Sequence, residues 1–371
     1  MARHNKREPI GLAIIGCGRL GRFRGQVAQQ YPGVEWIGLC DLKEDLGRKL
    51  MDELQADYFT TDYKELLRRP EVNAVLIATE ESEHVPLALY AAERGHRLMI
   101  EKPLATNARE SAQVLQAIES AGVDAVMGYT QRFRRRFLSA KERVRKGDLG
   151  DVTSVTTRAF LNSMSAIVAL RLDPQPSRLT PMVSSGTHSL DLSLWFLEGK
   201  TPVELYARSV DKVFGKEWGT KDATFGVFTF DDGTIWSMCI NWALPKRWPG
   251  STYGIELGIV GTKGVITIDD THRDIVMATD EPHLDQRADD WRNVSFLTSF
   301  PPGDMALGQL RGPVREETYA WLTRLYHGVP TPHATAAEGH RNLLLTMAMD
   351  LSARTGKPVK LPIAPEELSP A

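Results

Sequence analysis

Apolar and polar positions along the chain change rhythm near residue 150. In the first 128 residues, short apolar runs alternate with helical patterns. Ile10–Ile15, Val34–Cys40, Asn73–Thr79, Arg97–Ile100 and Asp124–Met127 have the length and composition of buried strands. Between them, Lys43–Ala56 carries Leu46, Leu50 and Leu54 at four-residue spacing, which predicts an amphipathic helix. Tyr63–Arg69 predicts a short helix stopped at Pro70, and His84–Arg94 and Thr106–Ser120 two longer ones. Strands and helices in this alternation imply a doubly wound parallel sheet, with its ligand crevice at the carboxyl ends of the strands. Gly16, Asp41, Thr79, Glu101, Lys102 and the run Gly128–Phe133 all follow predicted strands, where that crevice lies.

From residue 152 the runs lengthen and several alternate: Val152–Phe160, Val203–Val210, Ala223–Phe230, Thr234–Asn241, Tyr253–Val260 and Val265–Asp269. Asp231-Asp-Gly233 and Gly261-Thr-Lys-Gly264 are turn signals between them. Helical stretches at Gly186–Leu197, Pro313–Tyr326 and Thr335–Ala353 border these strands, and Thr335 with Glu338 has capping-box spacing. The second half is therefore expected to be an α+β domain on a mostly antiparallel sheet. Arg171–Pro181, with three prolines and no period, is expected to be a surface loop. A length of 371 residues suits two domains, divided here as residues 1–128 and 129–371.

Composition narrows the function classes. A net charge of −2 favours neither nucleic acid nor an anionic membrane, and no apolar run approaches the roughly 20 residues of a membrane span. The basic N-terminus ahead of an apolar run faintly resembles a signal peptide, but that run is needed as the first strand. Cys17, Cys40 and Cys239 have no metal-like spacing, and the first two are expected to be small buried apolar groups. A reducing, cytoplasmic setting and no metal follow as the expectation.

The chemistry-bearing motif of the first half is Gly16-Cys17-Gly18-Arg19-Leu20-Gly21, between a strand and a helix, with Asp41 at the end of the next strand. This is the layout of a dinucleotide-binding unit. Gly16 allows the tight turn, Gly18 admits a pyrophosphate close to the backbone, and Gly21 lets helix and strand pack closely. The helix N-terminus offers N–H groups to phosphate, and Asp41 would accept from the adenosine ribose hydroxyls. Glu101-Lys102-Pro103 ends another strand. Lys102 is either a solvated strand end or a crevice ammonium able to donate to a substrate carbonyl or alkoxide. The proline restricts its backbone, and a cis peptide there would fix its direction.

In the second half, Ser184-Ser-Gly-Thr-His188-Ser-Leu-Asp191 places His188 and Asp191 three apart on a predicted helix. His188 suits taking a proton from an alcohol, and Asp191 could orient it or bind a sugar hydroxyl. The alternative is a helix-capping histidine with Asp191 on a wet surface.

These motifs, with Ala78-Thr79 and His84, Glu101–Ala105, Gly128–Phe133, Gly147–Gly150, Gly186–Asp191, Gly261–Gly264 and Gly356–Val359, occur in the order and at the spacing of one family. From about residue 8 to 362 the chain resembles the Gfo/Idh/MocA oxidoreductases. The resemblance implies a Rossmann domain, then an α/β domain with a large open sheet, one face over the active site and the other often a dimer or tetramer contact. It implies an NAD(P)-dependent enzyme transferring hydride to or from a sugar, polyol or cyclitol carbon, without nucleic-acid or membrane partners. Gly16–Gly21, Asp41, Thr79, His84, Glu101, Lys102 and Gln131 would serve the cofactor. Lys102, Arg132, Ser184 and His188 would face the substrate, with Lys102, His188 and Asp191 catalytic.

Two departures stand out. Ser184 replaces the aspartate that many members carry four residues before the histidine, so no carboxylate there tunes the lysine, and Glu80 replaces a frequent proline. Asp41 followed by Leu42 favours NAD over NADP, because a carboxylate repels a 2′-phosphate, although Lys43 and Arg19 leave NADP open. Arg132–Arg136 suggests a solvated helix start, or a carboxylate-binding site for an acidic sugar. Trp236, Trp242 and Trp248 suit either sugar stacking or the core. Two rival functions remain: glycoside processing with tightly held, recycled NAD, and a non-catalytic NAD-binding regulator.

Overall fold

The computed structural model describes residues 8–172, 176–246, 248, 254–269, 275–285, 290–297 and 302–368. The first strands and helices are β1 (Ile10–Ile15), α1 (Arg19–Gln29), β2 (Val34–Cys40), α2 (Glu44–Leu54), β3 (Tyr58–Thr60), α3 (Tyr63–Leu67), β4 (Ala74–Ile77), α4 (His84–Glu93), β5 (Arg97–Glu101), α5 (Ala108–Ala121) and β6 (Ala125–Gly128). Every residue of β1 and β4 is buried, as in a parallel strand covered on both faces. Polar side chains set several helix starts: Asp62 caps α3 through the Lys64 N–H, and Asn107 caps α5 through the Glu110 N–H.

The next stretch comprises α6 (Arg135–Arg145), β7 (Val152–Asn162), α7 (Ser163–Leu172), α8 (Thr187–Phe196), β8 (Pro202–Val210), the single turn α9 (Gly215–Trp218), β9 (Ala223–Phe230), β10 (Ile235–Leu244), β11 (Gly254–Gly261), β12 (Val265–Ile268) and the hairpin β13 (Ile275–Asp285) with β14 (Asp290–Leu297). The chain closes with β15 (Asp304–Ala306), β16 (Gln309–Arg311), α10 (Pro313–His327), β17 (Ala334–Thr335), α11 (Ala336–Thr355) and β18 (Val359–Lys360). Tyr253, expected in a strand, lies outside the described residues. Part of the expected Arg171–Pro181 loop is helical: α7 buries Ala166, Ile167 and Leu170 and runs through Leu172. Its start is marked by Asn162 at the end of β7, whose Oδ1 accepts the Met164 N–H at 2.9 Å.

Two compact units result, Met1–Phe133 with Met305–Leu343, and Arg134–Asp304 with Leu344–Ala371. The second half of the sequence is thus not one unit. The physical reason is α10, whose Trp321, Leu322 and Leu325 join Ile14, Leu76 and Met99 in the core beneath the first sheet. In that sheet the order is β3-β2-β1-β4-β5-β6-β17, all parallel except β17. The strand order reverses between β1 and β4, which is the switch point where such sheets bind ligands.

The second unit is built on a sheet ordered β12-β11-β7-β10-β9-β8-β18. Only β7 and β10 pair in parallel; the other neighbours are antiparallel. Alternation puts Phe228, Trp236 and Ile240 in the core and leaves Phe225, Val227 and Ile235 exposed on the opposite face.

Candidate functional site

In the first unit, the glycine loop has the geometry its sequence requires. Gly16 holds φ at +97°, and a Cβ there would lie 2.4 Å from the Ala78 carbonyl oxygen. A Cβ on Gly21 would lie 1.9 Å from the Gly16 oxygen, so α1 can press against the loop only through a glycine. Gly18 differs: a Cβ there would meet no atom within 4 Å, so its side of the loop is open, as close approach of a phosphate demands. Gly18 also supplies the N-cap of α1, and Arg19 and Leu20 open its first turn, where N–H groups lack intrahelical partners.

The Asp41 carboxylate accepts the Cys17 N–H at 2.7 Å and the Lys43 N–H at 2.8 Å. It therefore holds the glycine loop against the end of β2, at the position from which a ribose would be read. Cys17 and Cys40 are buried, and desolvation chiefly, then the Asp41 charge, pushes each thiol up to about 12. Both are neutral packing groups, as the sequence suggested.

At the end of β5, Glu101 is buried and Lys102 half-buried, and the Lys102–Pro103 peptide is cis. The Thr79 hydroxyl donates to the Glu80 carbonyl at 3.3 Å. His84 is fully buried; Nδ1 lies 2.7 Å from the Pro103 oxygen and Nε2 3.3 Å from the Thr79 oxygen. With both ring nitrogens on main-chain carbonyls, His84 braces the ends of β4 and β5 from behind. The contacts of its ring nitrogens are with main chain on either side of it, which makes it a support for the strand ends. Gln131 is buried, and its Oε1 meets no hydrogen-bond donor among the described residues.

Glu101, next to Lys102 in the chain, belongs to a buried ionic cluster that sequence reasoning missed. Arg24 of α1 donates through Nε and Nη2 to Glu101 Oε1, at 2.8 and 2.6 Å. Nη2 also meets Glu317 Oε2 of α10 at 2.7 Å, and Nη1 the Thr318 hydroxyl at 2.9 Å. Glu101 thus turns one carboxylate oxygen to the buried Arg24. Burial, reinforced by the Glu101 charge, pushes the Glu317 carboxyl up to about 7 despite the opposing pull of Arg24 and Thr130. The sequence signal was faint: a charged residue three positions after Gly21, on the face of α1 that packs inward.

The arginine cluster also differs from expectation. Arg132 and Arg134 are buried, not solvated, while Arg135 is exposed at the start of α6. Arg132 Nη2 pairs with Glu338 at 2.8 Å, and Glu338 closes the capping box with Thr335. The contact shown for Arg132 is therefore a brace between the end of β6 and the start of α11, where the sequence suggested substrate recognition.

In the second unit, one turn of π-helix at Met182–Gly186 carries Ser184 and leads directly into α8. Such turns widen the backbone and recur at functional sites. The Thr180 hydroxyl donates to Asp350 of α11 at 2.6 Å and accepts the Val183 N–H at 3.2 Å, anchoring the start of the turn. Burial pushes the Asp350 carboxyl up to about 7. His188 is half-buried and Asp191 buried, which removes the wet-surface alternative for Asp191. Trp236 stacks on Phe228 with centroids 4.5 Å apart and donates to Thr157, and Trp242 donates to the Lys221 carbonyl. Both are core residues and not sugar platforms; Trp248 is 40 % exposed.

Comparison with known proteins agrees with this geometry. Residues 10–129 match the family described as GFO_IDH_MocA, oxidoreductase family, NAD-binding Rossmann fold, and residues 137–267 match the GFO/IDH/MocA C-terminal domain. The myo-inositol 2-dehydrogenase of Thermotoga maritima is 25% identical over 363 residues, covering 94% of this chain and 98% of that protein. The scyllo-inositol 2-dehydrogenase (NAD(+)) of Bacillus subtilis is 25% identical over 261 residues, covering 70% of this chain and 73% of that one. The fold is shared with a scyllo-inositol dehydrogenase from Lactobacillus casei, solved with NAD(H) and scyllo-inositol. It has a TM-score of 0.75 at 17% identity, over 95% of this chain and 99% of that one.

Proposed function

This chain belongs to the Gfo/Idh/MocA oxidoreductase family, whose first domain is an NAD-binding Rossmann fold, and on that basis we propose that it is an NAD-dependent dehydrogenase of cyclitols. The observation that carries this reading is the glycine loop: crowded at Gly16 and Gly21, open at Gly18, and tied to Asp41. Inositol-oxidising relatives over most of the chain's length support the substrate class.

Bound NAD supplies the hydride acceptor. Gly18 and the α1 N-terminus hold the pyrophosphate, and Asp41 accepts from the ribose hydroxyls while repelling a 2′-phosphate. Lys102 donates to the substrate oxygen and stabilises the alkoxide as the carbon loses hydride. His188 takes the hydroxyl proton, and the buried Asp191 supports the imidazole from the same helix. Ser184 donates to or accepts from a substrate hydroxyl but brings no charge. The second unit also exposes an apolar sheet face, with a groove of about 760 Å³ lined by Tyr206, Phe225, Val227 and Met238 among others. A second copy of the chain covers this face, giving a cytoplasmic homodimer or homotetramer.

A panel of inositols, sugars, polyols and sugar acids, each with NAD and NADP, tests the reading through absorbance of the reduced cofactor. NADH formation with at least one inositol is expected. Lys102→Met and His188→Ala are each expected to abolish turnover with NAD affinity nearly unchanged. Loss of NAD affinity in step with rate would refute their assigned roles.

A further inference from the structure

The Arg24 cluster places one cation and two carboxylates in the interior, with Glu101, the residue before Lys102 in the chain, as one of its members. Arg24 and Glu317 are fully buried, and the unpaired oxygen of Glu317, Oε1, meets no donor among the described residues. Glu317 Oε2 also accepts the Thr130 hydroxyl at 2.9 Å. The second oxygen of Glu101 packs over Gly128, where a Cβ would come within 2.8 Å of it. Glu101 is thus clamped on both sides, by a guanidinium fork and by the backbone of the neighbouring strand, to which it is also paired in register. A buried ionic group of this kind is a poor source of net stability, since desolvation offsets most of the attraction. What it does supply is fixed geometry and a fixed field at the next residue along, Lys102.

The charge count gives the cluster a second property. With both carboxylates ionised the group carries a net negative charge; with Glu317 protonated it is neutral. The charged groups that act on Glu317 are Arg24 from α1 and Glu101 from β5; its main-chain neighbour His333 feels Arg24, Arg324 and Arg132. His333 Nε2 sits 3.1 Å from the Glu317 main-chain oxygen. Burial first, then Arg24, drives the His333 ring down to about 3, so it stays neutral at working pH. Arg132 is held by Glu338 and Arg324 by Asp124. Glu317, pushed up to about 7, changes its charge near neutrality.

We propose that Arg24, Thr130 and Glu317 are positioning residues for Lys102: they lock Glu101, and the protonation of Glu317 sets the negative charge felt by the Lys102 ammonium. The proton that Glu317 gains or loses is exchanged with solvent, and no bond to substrate or cofactor is involved. The proposal rests on Lys102 being the crevice ammonium of the reading above, but its test does not require turnover.

The full chain is reductively methylated with ¹³C-formaldehyde, and the Lys102 dimethylamino resonance is assigned by its absence in Lys102→Met. In the wild type that resonance is expected to show an inflection near pH 7, before the amine itself titrates. In Glu317→Gln, which keeps the shape and an acceptor for Thr130 and Arg24, the inflection is expected to vanish. A wild-type resonance flat through neutrality, or an inflection that survives Glu317→Gln, overturns the proposal. In parallel, Arg24→Lys keeps the charge and loses the fork; kcat is expected to fall about tenfold or more while the dissociation constant for NAD stays within about threefold. Should Arg24→Lys fail to fold, the Glu317→Gln titration alone decides. Should no inositol be oxidised by the wild type, the proposed substrate class falls, and the resonance still decides this proposal.

Discussion

Replacing Glu317 by glutamine removes a titration from the centre of the first unit, and its effect on stability follows from the structure. Burial raises the carboxyl from 4.5 to about 7 in the folded protein. The sign follows by linkage. Below the unfolded value both states hold the proton and the folded state suffers no penalty. As pH rises, the unfolded chain releases the proton first, so stability falls continuously until the folded carboxyl also ionises. At 1.36 kcal/mol per unit, the loss is about 1 kcal/mol at pH 5 and about 3 kcal/mol at pH 8. Glutamine has no such dependence. The stability of Glu317→Gln relative to wild type should therefore rise by about 2 to 3 kcal/mol between pH 5 and pH 8. Asp350, raised like Glu317, and His333, shifted the opposite way, are present in both chains and cancel in the difference. Urea denaturation of both proteins at the two pH values measures it. Two curves separated by a constant amount at all pH values would falsify the assignment of a proton-holding carboxyl at this position.

Gly21→Ala forces a Cβ to 1.9 Å from the Gly16 oxygen; the loop and α1 must separate, and NAD affinity measured by calorimetry should drop at least about a hundredfold. Phe225, 50 % exposed at the centre of the open sheet face, is the position to charge: Phe225→Asp should lower the mass seen by light scattering without changing the circular dichroism spectrum, and an unchanged mass would remove that face from the assembly. Asp41→Ala removes the acceptor of the Cys17 and Lys43 N–H groups and the negative charge beside them. The ratio of kcat/KM for NAD over NADP should fall at least about tenfold, and an unchanged ratio would show that cofactor choice lies elsewhere.

Much of the first unit was legible because its signals are local. An apolar run, glycines at fixed offsets and an acid after the next strand are dictated by neighbours in the chain. The structure accordingly places β1, β2 and α2 within a residue or two of the sequence reading, with the expected helix, α1, between the glycine motif and β2. The strands of the second sheet were legible for the same reason, since alternation over eight or more residues has one physical solution. The hairpin of β13 and β14 carried no comparable signal and was not anticipated.

What the sequence by itself determined is the order of elements, the phosphate-binding loop and the identity of the chemical groups at strand ends. Tertiary structure alone decided which partners those groups take and which of them are buried. His84, Glu101 and Arg132 have the same residue types a cofactor or substrate site would use, and within the fold they meet Pro103, Arg24 and Glu338. Two of those partners come from distant parts of the chain, Arg24 from 77 residues before Glu101 and Glu338 from 206 after Arg132. Burial of an ionisable group is set by what packs against it, and α10 returns to the first sheet from nearly 200 residues further along the chain, bringing Glu317 within reach of Thr130. No pattern of nearby residues encodes that return, because it is fixed by the fit of Trp321 and Leu322 beneath the sheet.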